Sequence, residues 1–216
     1  MDRQLHINHL YERHNSVQVM NKGIAFFDFD GTITTKDTLF EFIKFCKGKI
    51  HFYAGFLLHS HYLVSYKLKV ISNQKAKEKI LTYFFKNISL PEFQNYCEQF
   101  GQQVLPGLIR PQALREIEKF HKAGITVVIV SASPENWIIG WARSLKLSLI
   151  ATELEINNEQ LTGKIKGTNC HGQEKVRRIK ETYDLSTYAE IYAYGDTSGD
   201  KPMLALAHYA SMKPFR

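Results

Sequence analysis

Cysteine is scarce: Cys46, Cys97 and Cys170 are the only three in 216 residues. An odd, scattered set argues against a disulfide framework and fits a reducing, cytoplasmic compartment. Cys170-His171 lacks the second close ligand pair that zinc sites use, so Cys170 reads as structural. No run of about 20 consecutive apolar residues is present, so no transmembrane segment is expected. No dense Lys/Arg block is present either, so no nucleic-acid partner is expected. Met1 to Asn21 has no apolar segment of the secretory kind. It is polar and His-rich, and reads as a mobile tail or as residues ahead of a natural start at Met20.

Apolar material is plentiful. Hydrophobic residues make up 44% of the chain, enough to bury a core. A formal net charge of +7 suits anionic partners such as phosphorylated metabolites or anionic lipid, although solvated lysines account for most of it.

Three runs read as strands buried on both faces. They are Gly23 to Asp30, Gly124 to Val130 and Glu190 to Tyr194; Leu147 to Glu153 and Tyr209 to Met212 are shorter candidates. Helical patterns at Pro111–Lys122, Pro134–Lys146, Gly172–Tyr183 and Lys201–His208 alternate with them. Alternation of this kind predicts an α/β fold with a parallel sheet in three layers. Glu153 to Lys166, with Asn157-Asn158, reads as a hairpin. Residues 35–105 exceed what a crossover needs and look helical throughout, which predicts a helical cap inserted after the first strand. The division expected is a tail at 1–21, a core of 22–34 with 106–216, and a cap at 35–105. Leu105-Pro106-Gly107 is the expected return hinge, and a cap beside the crevice is a natural lid.

The three main strands end at Asp28/Asp30, Ser131 and Asp196. Ligands in open α/β sheets sit beyond the carboxyl ends of the strands, so one crevice is expected to gather all three clusters. Two carboxylates spaced by two on a strand project to one side. A divalent cation relieves their repulsion, and oxygen ligands suit Mg²⁺. Gly195-Asp196-Thr197-Ser198-Gly199-Asp200 adds a second acidic pair. Ser131-Ala132-Ser133, ahead of Pro134, is placed to offer a hydroxyl and backbone N–H groups at a helix start. Lys175 offers a positive charge against carboxylates and phosphate oxygens. Each cluster also has a plain reading, as turn aspartates, a helix N-cap or a solvated lysine.

In order and spacing these clusters resemble the four motifs of the haloacid dehalogenase (HAD) superfamily of phosphohydrolases, from about Gly23 onward. Val130 to Pro134 and Leu161-Thr162-Gly163-Lys164 look more specifically like subfamily IB, the phosphoserine-phosphatase-like group. The resemblance implies a Rossmann-like core and a Mg²⁺-dependent phosphomonoester hydrolase acting on a small phosphorylated metabolite. It implies Asp28 as nucleophile forming an aspartyl phosphate, Asp30 as acid and base, and Lys175 and Asp200 as further catalytic residues. It further implies that Thr32, Ser131, the Ala132 amide and Lys175 would bind phosphate. On the same resemblance Asp28, the Asp30 carbonyl and Asp196 would hold Mg²⁺. Asp37 stands where relatives use a glutamate toward the substrate ammonium, Gly199 replaces an asparagine, and Ala132 a glycine.

Ile50 to Tyr66 contains no Lys, Arg, Asp or Glu. It reads as a buried cap helix, with His59 and His61 as ordinary histidines. Flanking Lys44, Lys47, Lys49, Lys67 and Lys69 make transient anionic-lipid contact the alternative. Subfamily IB includes phosphatases of lipid phosphates such as phosphatidylglycerophosphate, so a lipid-phosphate substrate is the second reading. A phosphotransferase and a non-catalytic lipid- or nucleic-acid-binding module are the others.

Overall fold

The computed structural model describes residues 21–68 and 70–216. The expected tail falls outside them, Asn21 excepted. Five parallel strands form one sheet in the order β3-β2-β1-β6-β7. They are β1 (Asn21–Phe27), β2 (Thr126–Pro134), β3 (Ser148–Thr152), β6 (Tyr188–Gly195) and β7 (Tyr209–Met212). The insertion that follows β1 carries α1 (Thr38–Leu58), α2 (Ser60–Lys67), α3 (Asn73–Phe85) and α4 (Leu90–Gln103) among the described residues. The remaining helices are α5 (Pro111–Ala123), α6 (Ile139–Ser144), α7 (Gln173–Thr182) and α8 (Lys201–Leu204).

The apolar strand runs are buried because side chains alternate between two covered faces. Ile24, Phe26, Val128 and Val130 pack with Ile179 of α7 and Met203 of α8. Ala25, Phe27, Val127 and Ile129 pack on the other face with Ala113, Ile117 and Phe120 of α5. That second core runs on into the insertion, where Phe42 of α1 meets Phe85, Phe93, Phe100 and Trp137. The layers are helix, sheet, helix, with the helical insertion continuous with one of them.

The insertion is tied down at two places. Where it leaves and rejoins the sheet domain, Thr34 bridges Ile109, and Thr35 N donates to Leu108 O at 2.8 Å. The expected hinge residues form a short turn, Leu105–Leu108, beside that bridge. The hairpin β4 (Leu154–Asn157) and β5 (Gln160–Ile165) then grips the far side of α3. Asn87 N donates to Leu161 O, Leu161 N to Ile88 O, and the Thr82 hydroxyl to Gly163 O. Asn158 and Glu159 both take left-handed backbone, as a two-residue hairpin turn requires.

Several expected boundaries are corrected. The first strand stops at Phe27, so Asp28 and Asp30 do not share a strand face. The chain instead leaves through a wide turn, Phe29–Ile33, anchored by buried Phe29 and Ile33. Strand β2 runs through Ser131 to Pro134, and a regular helix begins only at Ile139. The proline disfavours helical backbone in the residue before it, which keeps Ser133 extended. The helix expected to reach His208 ends at Leu204. Ile50 to Tyr66 is not a buried helix: it spans parts of α1 and α2, and Ile50, Tyr53, Leu57 and Leu58 face solvent.

Candidate active site

Strands β2, β1 and β6 are neighbours, so their carboxyl ends open on one crevice of about 290 Å³. Its core wall carries Asp28, Asp30, Ala132, Ser133, Lys175 and Asp196 to Asp200. Its insertion wall carries Asp37, Leu39, Asn73 and Lys77. A larger cavity of about 690 Å³ lies between α4 and the Glu135–Ser144 segment. It holds none of the buried ion pairs found among the described residues, so size does not decide the site.

Asp28 is fixed from three sides. Its backbone N–H donates to Tyr194 O at 2.9 Å, continuing the pairing of β1 with β6. Lys175 Nζ donates to Oδ1 at 2.7 Å, and the Thr32 hydroxyl donates to Oδ2 at 2.9 Å. Burial pushes the carboxyl up to about 7, with Lys175 pulling down and Asp200 pushing further up. Thr32 thus holds Asp28 and is not on the crevice lining, unlike the phosphate-binding place expected for it.

Lys175 sits in the first turn of α7 and is 1% exposed. Its three N–H bonds go to Asp28 Oδ1, Val130 O at 2.7 Å and Asp200 Oδ1 at 2.8 Å. Burial lowers the ammonium, but the two carboxylates outweigh it and hold it charged, above the ordinary lysine value. Asp200 Oδ2 accepts from the Asp196 and Thr197 backbone N–H groups and the Thr197 hydroxyl. Burial raises that carboxyl, and Lys175 together with the Thr197 bonds brings it below its usual value.

A cation has donors to meet here. Asp28, Asp196 and Asp200 present carboxylate oxygens all within 4.8 Å of one another. Asp196 Oδ1 is buried without a hydrogen-bond partner, while Oδ2 accepts from Arg216 at 2.7 Å. Three converging carboxylates, with an Asp196 oxygen left without a partner, suit a hard divalent ion. Gly31 keeps the cluster open: it takes φ +79°, and a Cβ there would stand 2.4 Å from Asp196 Oδ2.

Asp30 is turned toward the insertion and away from that cluster. Its Oδ1 accepts from the backbone N–H of Thr38 at 2.7 Å and from the Thr38 hydroxyl at 2.6 Å. The indole N–H of Trp137 donates in turn to the Thr38 hydroxyl at 3.1 Å. A carboxylate at the first turn of α1 is favoured by the helix dipole. Asp37, expected to meet substrate, also caps α1 by accepting from Leu39 and Phe40 N–H, though it lines the crevice. Ser131 is fully buried; its hydroxyl accepts from Ser133 N–H at 3.0 Å and lies 3.5 Å from Asp30 Oδ2. No helix starts at Ser131 as expected, because the strand continues to Pro134.

Three crevice residues, Leu39, Asn73 and Lys77, carried no sequence signal. Lys77 of α3 donates to Ala132 O at 2.8 Å and to Asn169 Oδ1 at 3.3 Å. Ser133, Asn73 and His171 complete the lining. His171 accounts for the glycine at 199: a Cβ there would stand 2.3 Å from His171 Nε2. Burial, then Lys175 and Lys77, hold His171 below the usual histidine value and therefore neutral.

Residues 25–205 match the haloacid dehalogenase-like hydrolase family. The chain is 34% identical over 192 residues to Protein CicA of Caulobacter vibrioides, covering 88% of this chain and 85% of that one. It is 27% identical over 201 residues to the probable phosphatase Rv3661 of Mycobacterium tuberculosis, covering 89% and 69%. Among solved structures, a substrate-bound phosphoserine phosphatase shares the fold with a TM-score of 0.65. Identity there is 16%, over 88% of this chain and 84% of that one.

Proposed function

The chain belongs to the haloacid dehalogenase-like hydrolase family, and from that premise we propose that this hydrolase is a phosphomonoester phosphatase with Asp28 as nucleophile. One observation carries the reading. Buried Lys175 joins Asp28 to Asp200, a carboxylate oxygen of Asp196 lies within 4.8 Å of oxygens of both, and Asp196 Oδ1 is buried with no partner. That arrangement supports a nucleophile and a cation site sharing one set of carboxylates. The phosphatase name of a relative matching 89% of this chain, and the fold shared with phosphoserine phosphatase, support the same class.

Asp28, Asp196 and Asp200 would hold Mg²⁺, with the Asp30 carbonyl as a further ligand on the family's pattern. Mg²⁺ supplies charge neutralisation on the phosphoryl oxygens. The chain's own groups do the rest. A carboxylate oxygen of Asp28 attacks phosphorus as the ester P–O bond breaks. Asp30 gives its proton to the leaving oxygen, then takes one from the water that opens the aspartyl phosphate. Trp137 and Thr38 orient Asp30 for both steps. Lys175 stays charged throughout and counters the phosphoryl charge, with the Ala132 amide on the crevice wall. Residues 22–34 and 106–216 act as the catalytic core, and 35–105 as the cap that selects substrate.

The crevice suits a small phosphorylated metabolite, with Lys77 and Asp37 offering one charge of each sign from the cap. Three unpaired cysteines accord with a cytoplasmic setting. No helix among the described residues is long and apolar enough to cross a membrane. Phosphate release from an aryl phosphate tests the reading. Turnover is expected with Mg²⁺, and none after chelation or in Asp28→Asn. Undiminished release in Asp28→Asn removes the proposal.

A further inference from the structure

We propose that the outer face of the insertion, built by the second half of α1, by α2 and by the turn after it, docks on an anionic lipid surface. Charge is the first observation. Between Glu41 and Glu78 the chain has seven lysines and neither aspartate nor glutamate. The rest of the chain keeps 21 of the 28 basic residues against all 21 acidic ones, so the whole net charge of +7 resides in this segment.

Shape is the second observation. Gly48 breaks α1 with φ +78°, a conformation open to glycine, and sets Ile50–Leu58 on a new course. That half-helix is apolar on both sides. Phe52 and Gly55 are buried toward α3, while Ile50, Tyr53 and Leu57 recur along the opposite side. A helix apolar all round is ordinarily covered all round. Here Ile50 is 84% exposed, Leu57 78% and Leu58 63%. Val64 of α2 and Leu68 in the following turn extend the surface at 54% and 70%. Lys49, next to Ile50 in the chain, and Lys75 of α3 are exposed.

An exposed apolar stripe in a segment whose formal charges are all positive fits a bilayer interface with acidic headgroups. A second copy fits poorly, because a two-fold contact brings two like-charged segments together. The position is also apt. Asn73 and Lys77, in the first turns of α3 and a few residues after Leu68 in the chain, line the crevice, which links the proposed docking segment to the crevice rim.

Sedimentation of the full chain with vesicles tests this without any appeal to catalysis. Vesicles of about two parts phosphatidylcholine to one of phosphatidylglycerol are expected to carry the protein down, and pure phosphatidylcholine not. Added salt weakens the binding. The double variant Ile50→Ser/Leu57→Ser is expected to bind at least about tenfold less, with unchanged melting and unchanged aryl phosphate turnover. Leu68→Ser, outside the helices, checks the result independently. Failure of the wild type to bind the acidic vesicles overturns the proposal. So does undiminished binding by both variants, or a concentration-dependent dimer that the double variant abolishes, which makes a second copy the occupant.

Discussion

The two walls of the crevice differ in kind. On the core wall Asp28, Lys175 and Asp200 are paired with one another inside the fold, and Lys175 alone closes three contacts. On the insertion wall Asp37 is exposed and Lys77 reaches across to a backbone carbonyl and an asparagine. The first wall is pre-organised, as charge stabilisation demands. The second wall is sparser, and its contacts are the kind that discriminate among substrates. Two aspartates, nine positions apart, put the contrast to the test. Asp28→Asn is expected to lower turnover at least about a thousandfold, since it removes the attacking group. Asp37→Asn keeps its capping oxygen and is expected to change KM more than kcat. Equal losses in the two variants would erase the distinction between the walls.

The two lysines sharpen it. Lys175→Met leaves Asp28 and Asp200 buried without their cation, and is expected to cost roughly 3–5 kcal/mol of stability, read by denaturant unfolding. Lys77→Met is expected to leave the unfolding midpoint nearly unchanged and to raise KM about tenfold, the loss of one charged contact. A variant pair with the opposite pattern would make Lys77 the structural lysine.

Protons and the cation compete on the core wall. Asp28 is pushed by burial from an ordinary 3.8 to about 7, so its neutral form is favoured in the folded, cation-free chain. That contribution to stability is fully present below 3.8 and is lost as pH rises through about 7. Mg²⁺ binds the ionised form and reverses the loss. Its effect on thermal midpoint is therefore expected to grow between about pH 6 and pH 8. A shift that ignores pH would take Asp28 out of the cation site.

How legible each wall was in the sequence follows the same divide. The strands declare themselves because both faces are covered, so Ile24 to Phe27 and Val127 to Val130 appear as unbroken apolar runs. Their ends carry Asp28 and Asp196 on short Gly/Asp segments, and parallel order does the rest. Lys77 gave no such signal: it is one lysine among many on an amphipathic helix, and only the packing of α3 against the hairpin brings it to Ala132. Thr38 and Trp137 were hidden for the same reason, since they sit 99 positions apart and meet through the insertion. Ser131 misled because a serine before a proline resembles a helix cap, whereas β3 pairs with β2 up to Pro134 and keeps it extended. The insertion also proved less free than a lid implies. Opening it requires parting the Asn87 and Leu161 contacts or carrying the hairpin along.

The smallest expected effect lies behind the core wall, in how α7 is held so that Lys175 points inward. Glu174, its neighbour, accepts from Arg177 and Arg178, and Arg178 goes on to Ala151 O and Thr168 O, both at 2.7 Å. The Arg177 bond foremost, with Arg178 behind it, holds Glu174 down to about 2 from an ordinary 4.5. A depressed carboxyl stabilises the fold above its unfolded value and stops doing so as pH falls toward the folded one. The window is therefore about pH 4.5 down to about 2. Arg177 is more than half exposed, so solvent screens the pair and the total stays under about 1 kcal/mol. Glu174→Gln is expected to flatten the acid limb of unfolding within that window and to leave neutral-pH turnover near wild type. A large fall in turnover would mean that the orientation of Lys175 depends on this surface pair, and the core wall would then be less self-sufficient than its buried contacts make it.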